Sequence, residues 1–220
     1  MKALLYAIFL FFLFAASVPG QATPVEKVSS PSYESYYYYI LGYQASLSHG
    51  WDEALNNYKK ALEFDPRSIY LKIQISYALF SAGRVSESLS LVEEVLKENP
   101  DDMRALVLAG EMYKSQRRFQ DAIKIYKKIV ESGPENSDAV FVLGGLYYYN
   151  NEVDTAVEIL ENLLKKEPEA FQALDLLGAI YIDRKEYEKA AEYLKKATVI
   201  NPEFETSYFK LGIISEIRDD

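Results

Sequence analysis

The sequence predicts an all-α fold built as an array of helix pairs, and three observations carry that prediction. A proline returns every 34 residues, at Pro66, Pro100, Pro134, Pro168 and Pro202. Ahead of each proline the same order of small and apolar residues recurs, most legibly in the stretch SYYYYILGYQASLSHGWDEALNNYKKALEFDP that ends at Pro66. Within each period the bulky apolar residues keep helical spacing. A fixed period of this length marks stacked supersecondary units, each too small to bury its apolar face alone.

Residues 1–22 stand apart from the array. Lys2 gives a minimal positive end, residues 3–14 (ALLYAIFLFFLF) are an unbroken apolar run, and Ala15, Ala16, Ser17, Gly20 and Ala22 offer small residues for cleavage. This pattern reads as a secretory signal peptide cut after Ala22, with a cut after Ser17 as second choice. The alternative is a retained membrane anchor at residues 3–18. That apolar stretch is 16 residues long, against the roughly 20 of a spanning helix. Residues 23–31 (TPVEKVSSP) are polar, carry prolines near both ends and read as a flexible linker. Ser32 is then an N-cap and Tyr33 opens the first helix.

Numbering each period from 1 to 34 with the proline at 32, units begin at Ser35, Ile69, Met103, Ser137 and Phe171, and a sixth begins at Glu205. Position 8 is Gly42, Gly110, Gly144, Gly178 and Gly212, with Ser76 in the second unit. A mid-helix glycine costs up to about 1 kcal/mol of helix propensity, so its return at one place implies close helix packing. Position 20 is Ala54, Ala122, Ala156 and Ala190, with Ser88 as the exception. The two small positions are expected to face one another and draw the helices together. Positions 4, 7 and 11 (Val140, Leu143 and Tyr147; Leu174, Leu177 and Tyr181) form one side of the core. Position 24 (Tyr58, Val92, Tyr126, Leu160, Leu194) closes it from the other.

The turn between helices carries an apolar plug at position 17, such as Trp51 or Val85, followed by an expected cap at Asp52, Ser86 or Asp154. Each proline disfavours helical geometry in the residue before it, so second helices should end near Asp65, Asn99, Gly133, Glu167 and Asn201.

From Ser35 to Asp220 this pattern resembles the tetratricopeptide repeat. The resemblance implies a right-handed α-α superhelix of five full repeats (35–68, 69–102, 103–136, 137–170, 171–204) and a sixth first helix (205–220). It also implies a concave surface lined by positions 2, 5, 9, 12 and 13 of the first helices, which grips a peptide or a partner's helix. On this chain those positions are Tyr36, Tyr39, Tyr43 and Leu47, then Tyr70, Ile73, Tyr77 and Phe80, then Arg104, Val107, Glu111 and Lys114. The fourth unit adds Phe141, Tyr148 and Tyr149; the fifth adds Gln172, Asp175, Ile182 and Asp183. The aromatic members of this set are the candidate partner-binding residues. Two ligand classes known for such repeats find no counterpart here. The C-terminal carboxylate clamp would need charged and amide residues where Tyr39, Tyr43 and Gln74 stand. An asparagine ladder would need asparagine at position 6, which reads Ile40, Gln74, Leu108, Val142, Leu176 and Lys210.

Composition narrows the chemistry further. With 33 acidic and 24 basic residues interleaved, net charge −9, the chain lacks the clustered positive footprint of a nucleic-acid binder. It has no cysteine, which excludes disulfides, thiol catalysis and thiolate metal sites. The single histidine, His49, reads as a solvated turn residue beside Trp51. No carboxylate pair, metal-ligand cluster or phosphate-cradling glycine loop stands out, so neither an enzyme nor a cofactor is expected.

The sixth unit stops after its first helix. Phe209, Ile213, Ile214 and Ile217 are expected to leave that helix apolar, as in a fragment or at an end covered by a partner or a second copy. The reading that gathers these points is an exported protein–protein interaction scaffold of a bacterial periplasm or envelope, the bacterial element resting on the resemblance. A glycan-binding role in polysaccharide export and a docking arm of a larger enzyme are the alternatives.

Overall fold

The computed structural model describes residues 32–219, with side chains as far as Ile217. The expected signal segment 1–22 and linker 23–31 lie outside the described residues. Among the described residues eleven α-helices and no strand occur. They follow one another as α1 (Tyr33–Leu47) with α2 (Trp51–Phe64), α3 (Ile69–Ser81) with α4 (Val85–Glu98), and α5 (Met103–Ser115) with α6 (Phe119–Ser132). Next come α7 (Ser137–Tyr149) with α8 (Val153–Lys166), α9 (Phe171–Asp183) with α10 (Tyr187–Ile200), and α11 (Glu205–Asp219). Each helix packs on the next, so every pair touches its neighbours and the stack has no single centre.

The starts of the first helices follow from side-chain capping. Ser32, Ser68, Asp102 and Asn136 each accept a hydrogen bond from a backbone N–H three residues on, at 3.0 to 3.3 Å. The second helices behave differently from expectation. They begin at the apolar plug itself, and their N-cap residues Gly50, Arg84, Arg118, Glu152 and Glu186 make no side-chain cap bond. Asp52, Ser86 and Asp154, expected as caps, lie inside the first turn, where Asp52 and Asp154 favour the positive end of the helix dipole.

The reason lies one residue earlier, at position 15. His49, Gly83, Arg117, Asn151 and Lys185 all have φ between 56° and 78°. In each turn this left-handed residue donates to one carbonyl of the first helix and the next residue reaches further back, as when His49 bonds Ser46 at 3.1 Å and Gly50 bonds Ala45 at 2.9 Å. The closing bonds of one helix thereby deliver the chain straight into the next. The C-caps of the second helices are Asp65, Asn99, Gly133, Glu167 and Asn201, each immediately before a proline.

Packing inside each pair is set by complementary size. A Cβ placed on Gly42 would lie 2.6 Å from Tyr58, on Gly110 2.7 Å from Tyr126, on Gly144 2.8 Å from Leu160, and on Gly178 2.5 Å from Leu194. The glycine therefore makes room for the bulky residue at position 24. In the second pair position 8 is Ser76, and its partner at position 24 is Val92, the smallest of that column. There Ser88 Oγ donates to the Ser76 carbonyl at 2.6 Å, so the serine exception is bonded across the same contact. Val92, Leu160 and Leu194 are fully buried, each contributing about 1.5–3 kcal/mol by removal from water.

Candidate functional site

First helices of adjoining pairs touch one another (α3 with α5, α7 with α9, α9 with α11), while successive second helices contact less. The odd-numbered helices thus form the inner layer of the stack, and their positions 2, 5, 9, 12 and 13 share one face. Position 9 decides what that face looks like. It is Tyr43, Tyr77 and Glu111 in the first three pairs, then Gly145 and Ala179.

Over the two small residues the face opens into a cavity of about 550 Å³. Phe141, Tyr148 and Tyr149 from α7 and Leu176 from α9 wall it, with Gly145 and Ala179 as its floor, Lys114 on one side and Lys210 on the other. A Cβ on Gly145 would find only Leu176, at 3.7 Å. The lining is largely apolar, as a pocket that takes a bulky apolar side chain requires.

The N-terminal end is built oppositely. Tyr39 lies at the centre of a ring cluster, 6.4 Å from Tyr36, 6.3 Å from Tyr43, 6.0 Å from Tyr58 and 5.5 Å from Tyr70 by ring centroids. Its hydroxyl pairs with that of Tyr70 at 2.8 Å, and Arg104 sits over the Tyr70 ring at 5.6 Å. Burial, then this hydrogen bond, raises the Tyr39 hydroxyl well above the usual tyrosine range. The result is a tyrosine platform on which Tyr36, Tyr43 and Tyr70 remain exposed, with the exposed Tyr77 beside it.

Polar bonds fix the spacing between first helices. The Tyr148 hydroxyl donates to Asp183. Burial followed by this bond pushes Tyr148 up to about 12. Asp175, 8% exposed, accepts from Ser207 at 2.8 Å and pairs with Lys210 at 2.5 Å, tying α11 to α9. Glu111 takes both the Lys114 ammonium at 2.7 Å and the Tyr126 hydroxyl at 2.5 Å. The two lysines flanking the cavity are therefore each neutralised by a carboxylate. Among the described residues no cluster of His, Cys, Asp or Glu could hold a metal ion, and no helix is long and apolar enough to cross a membrane.

Of the sequence-derived candidates, Phe141, Tyr148 and Tyr149 come together at the cavity. Tyr36, Tyr39, Tyr43 and Tyr70 share the platform, while Tyr77 packs edge-on against Trp51 at 6.1 Å and Phe80 packs against the core of the second and third pairs. Three placements differ from expectation. Ile73 is core, because α3 turns it between α4 and α5. Asp175 is buried in its bonds to α11 instead of facing a ligand. Ile214, expected on an exposed apolar face, is buried in the core that α11 shares with α9 and α10. Gly145 and Ala179, which make the cavity, were missed by counting side chains that reach into the groove; the signal was the break in the position-9 column.

These residues define an all-helical repeat solenoid with a pocketed inner face. A tetratricopeptide-repeat family profile matches residues 73–137, and the profile described as anaphase-promoting complex, cyclosome, subunit 3 matches residues 115–197. The chain is a tetratricopeptide-repeat protein. Its fold is similar to that of MamA, residues 41 to end, from Desulfovibrio magneticus RS-1, with 18% identity, a TM-score of 0.74, and coverage of 80% of this chain and 99% of that one. A second MamA structure has 21% identity and a TM-score of 0.68, covering 77% of this chain and 92% of that one. YrrB, described as a TPR protein with an unusual peptide-binding site, has 20% identity and a TM-score of 0.66, covering 78% of this chain and 89% of that one. No curated protein matches at the sequence level.

Proposed function

We propose that the protein is a non-catalytic interaction scaffold whose inner face holds a partner's peptide segment, with one bulky apolar side chain seated over Gly145 and Ala179. The cavity there is the observation that carries this reading. Its apolar walls supply the burial that anchors a side chain, and its paired lysines leave it without the net charge that a terminal carboxylate would seek. The peptide binding described for YrrB is in keeping with it. The signal-like pattern of residues 1–22 supports work outside the cytoplasm, in the periplasm or envelope; on that reading N-terminal sequencing of the mature protein should begin at Thr23. Selection from a displayed random-peptide library tests the binding. Enriched peptides should share a large apolar residue and lose affinity for Gly145→Tyr; a library that yields no enrichment, or peptides indifferent to that substitution, rejects the reading.

A second reading rests on the platform. The exposed rings of Tyr36, Tyr43, Tyr70 and Tyr77 offer flat apolar surfaces with hydroxyl edges, the form on which sugar rings stack. Retention of the protein on a glycan array, lost on Tyr43→Ala and Tyr77→Ala, would favour it over the peptide.

A further inference from the structure

One ring in the wall of the cavity over Gly145 and Ala179 is left bare. Tyr149 stacks on Phe119 at 5.8 Å, Tyr148 lies 5.4 Å from Tyr149, and Phe204 meets Phe171 edge-on at 5.0 Å. Phe141 has no ring contact among the described residues. Three periods earlier the equivalent ring, Tyr39, is covered. Tyr43, four residues on, stacks against it at 6.3 Å, and the Tyr39 hydroxyl pairs with that of Tyr70 at 2.8 Å. In the fourth and fifth pairs the same three places hold Phe141, Gly145 and Gln172. The covering ring is gone, and the side chain at position 2 has lost the hydroxyl it would bond. Gln172 is exposed in the cavity lining and makes no hydrogen bond among the described residues. A bare ring and an unpaired amide therefore share one space of about 550 Å³.

We propose that this cavity selects a tyrosine of the partner's segment, its ring laid on Phe141 and its hydroxyl bonded to the Gln172 amide. The inference rests on the peptide reading of the same cavity and narrows it from any bulky apolar side chain to a phenol. The ligand supplies in one residue what the N-terminal end divides between Tyr43, the covering ring, and Tyr39, the hydroxyl. An aliphatic side chain fills space but forgoes the contact between rings. A phenylalanine makes that contact, yet it covers the amide and strips it of water without replacing the bond. Gln172 carries both donor and acceptor, so it serves a hydroxyl in either direction. Ligand pockets span roughly 300–1,000 Å³, so this one has room for the ring together with the backbone atoms that carry it.

The probes are N-acetyl-tyrosinamide, N-acetyl-phenylalaninamide and N-acetyl-leucinamide. Each is titrated into the isotope-labelled protein and followed by NMR at the Gly145 and Ala179 amides. The tyrosine probe should shift both signals saturably. Phenylalanine should bind about fivefold more weakly, and leucine about fivefold more weakly again. Gln172→Leu should bring tyrosine down to the phenylalanine level, whereas Gln172→Glu, which keeps an acceptor for the hydroxyl, should preserve tyrosine's lead. Phe141→Leu should erase the lead of phenylalanine over leucine. The spectra themselves show that each variant is folded. Equal affinity for tyrosine and phenylalanine, a lead that survives Gln172→Leu, or no saturable shift with any probe up to about 10 mM overturns the proposal. Library peptides that carry leucine and are lost on Gly145→Tyr would overturn the phenol while leaving the peptide reading standing, so the two failures are told apart.

Discussion

The two ends of the inner face start from the same helices and reach opposite solutions. At the N-terminal end position 9 is tyrosine, and Tyr39, Tyr43 and Tyr70 close over the floor with rings the chain supplies itself. At the C-terminal end the same position is Gly145 and Ala179, and the space a ring would occupy is a cavity of about 550 Å³. The aromatic walls are common to both. What separates a platform from a socket is one column of the repeat, so ligand capacity here is written by the smallest side chains and not by the largest.

The strongest way to break the contrast is to give the socket the platform's residue. Gly145→Tyr should weaken a groove-bound peptide by about 2–3 kcal/mol, the burial of one large apolar side chain, while leaving thermal stability unchanged or higher, because only Leu176 lies near its Cβ position. Calorimetric titration and melting read the two effects separately; lost stability would mean the cavity is not open.

A second comparison uses one substitution at two equivalent sites. Gly178→Ala forces a methyl against Leu194 and should cost about 1–3 kcal/mol. Gly212→Ala should stabilise by up to about 1 kcal/mol, since a Cβ there meets nothing within 4 Å and helix propensity is then the only term. Equal signs in chemical denaturation would refute the difference in packing.

A smaller effect sharpens the contrast between hydroxyls at position 24. Tyr126 donates to Glu111, whereas the buried Tyr58 hydroxyl has no partner; Ser46 beside it gives its own hydroxyl to the Tyr43 carbonyl at 2.7 Å. Tyr126→Phe should cost about 1 kcal/mol and Tyr58→Phe less than about 0.5 kcal/mol, because only the first removes a made bond.

The last contrast is alkaline. Burial, then the bonds to Glu93 and Asp183, pushes Tyr113 and Tyr148 up to about 12. An unfolded tyrosine titrates near pH 10, so the stability these two confer is whole below about pH 10 and is lost as the pH climbs to about 12. In denaturation across that window Tyr148→Phe should lose stability less steeply than the wild type; an identical slope would show that the hydroxyl is not held.

Helix content and order were legible because the prolines, the glycines and the position-24 column repeat in phase, and each residue type has one physical use there. Ser32 as a cap and Asp65 or Asn99 as helix ends follow from local chemistry alone. The left-handed turn was illegible. Gly83 and Asn151 are types that accept a positive φ, but Arg117 and Lys185 in the same column announce nothing of the kind, and the conformation is imposed by the carbonyls of the preceding helix. Ile73 and Asp175 were misplaced for a related reason. A column assigns a face, but α4 and α5 enclose Ile73, and Ser207 and Lys210 arrive to cover Asp175 from a helix more than thirty residues away.

The serine pair at Ser76 and Ser88 bears on how such a chain can be recombined. A second helix carrying Tyr126 fits over Gly110 but would strike the Cβ of Ser76, and Val92 over Gly110 would leave a void. Whole pairs cut at the prolines can trade places, because each carries its own match of large to small. Single helices cannot, so the heritable module of this protein is the proline-bounded pair.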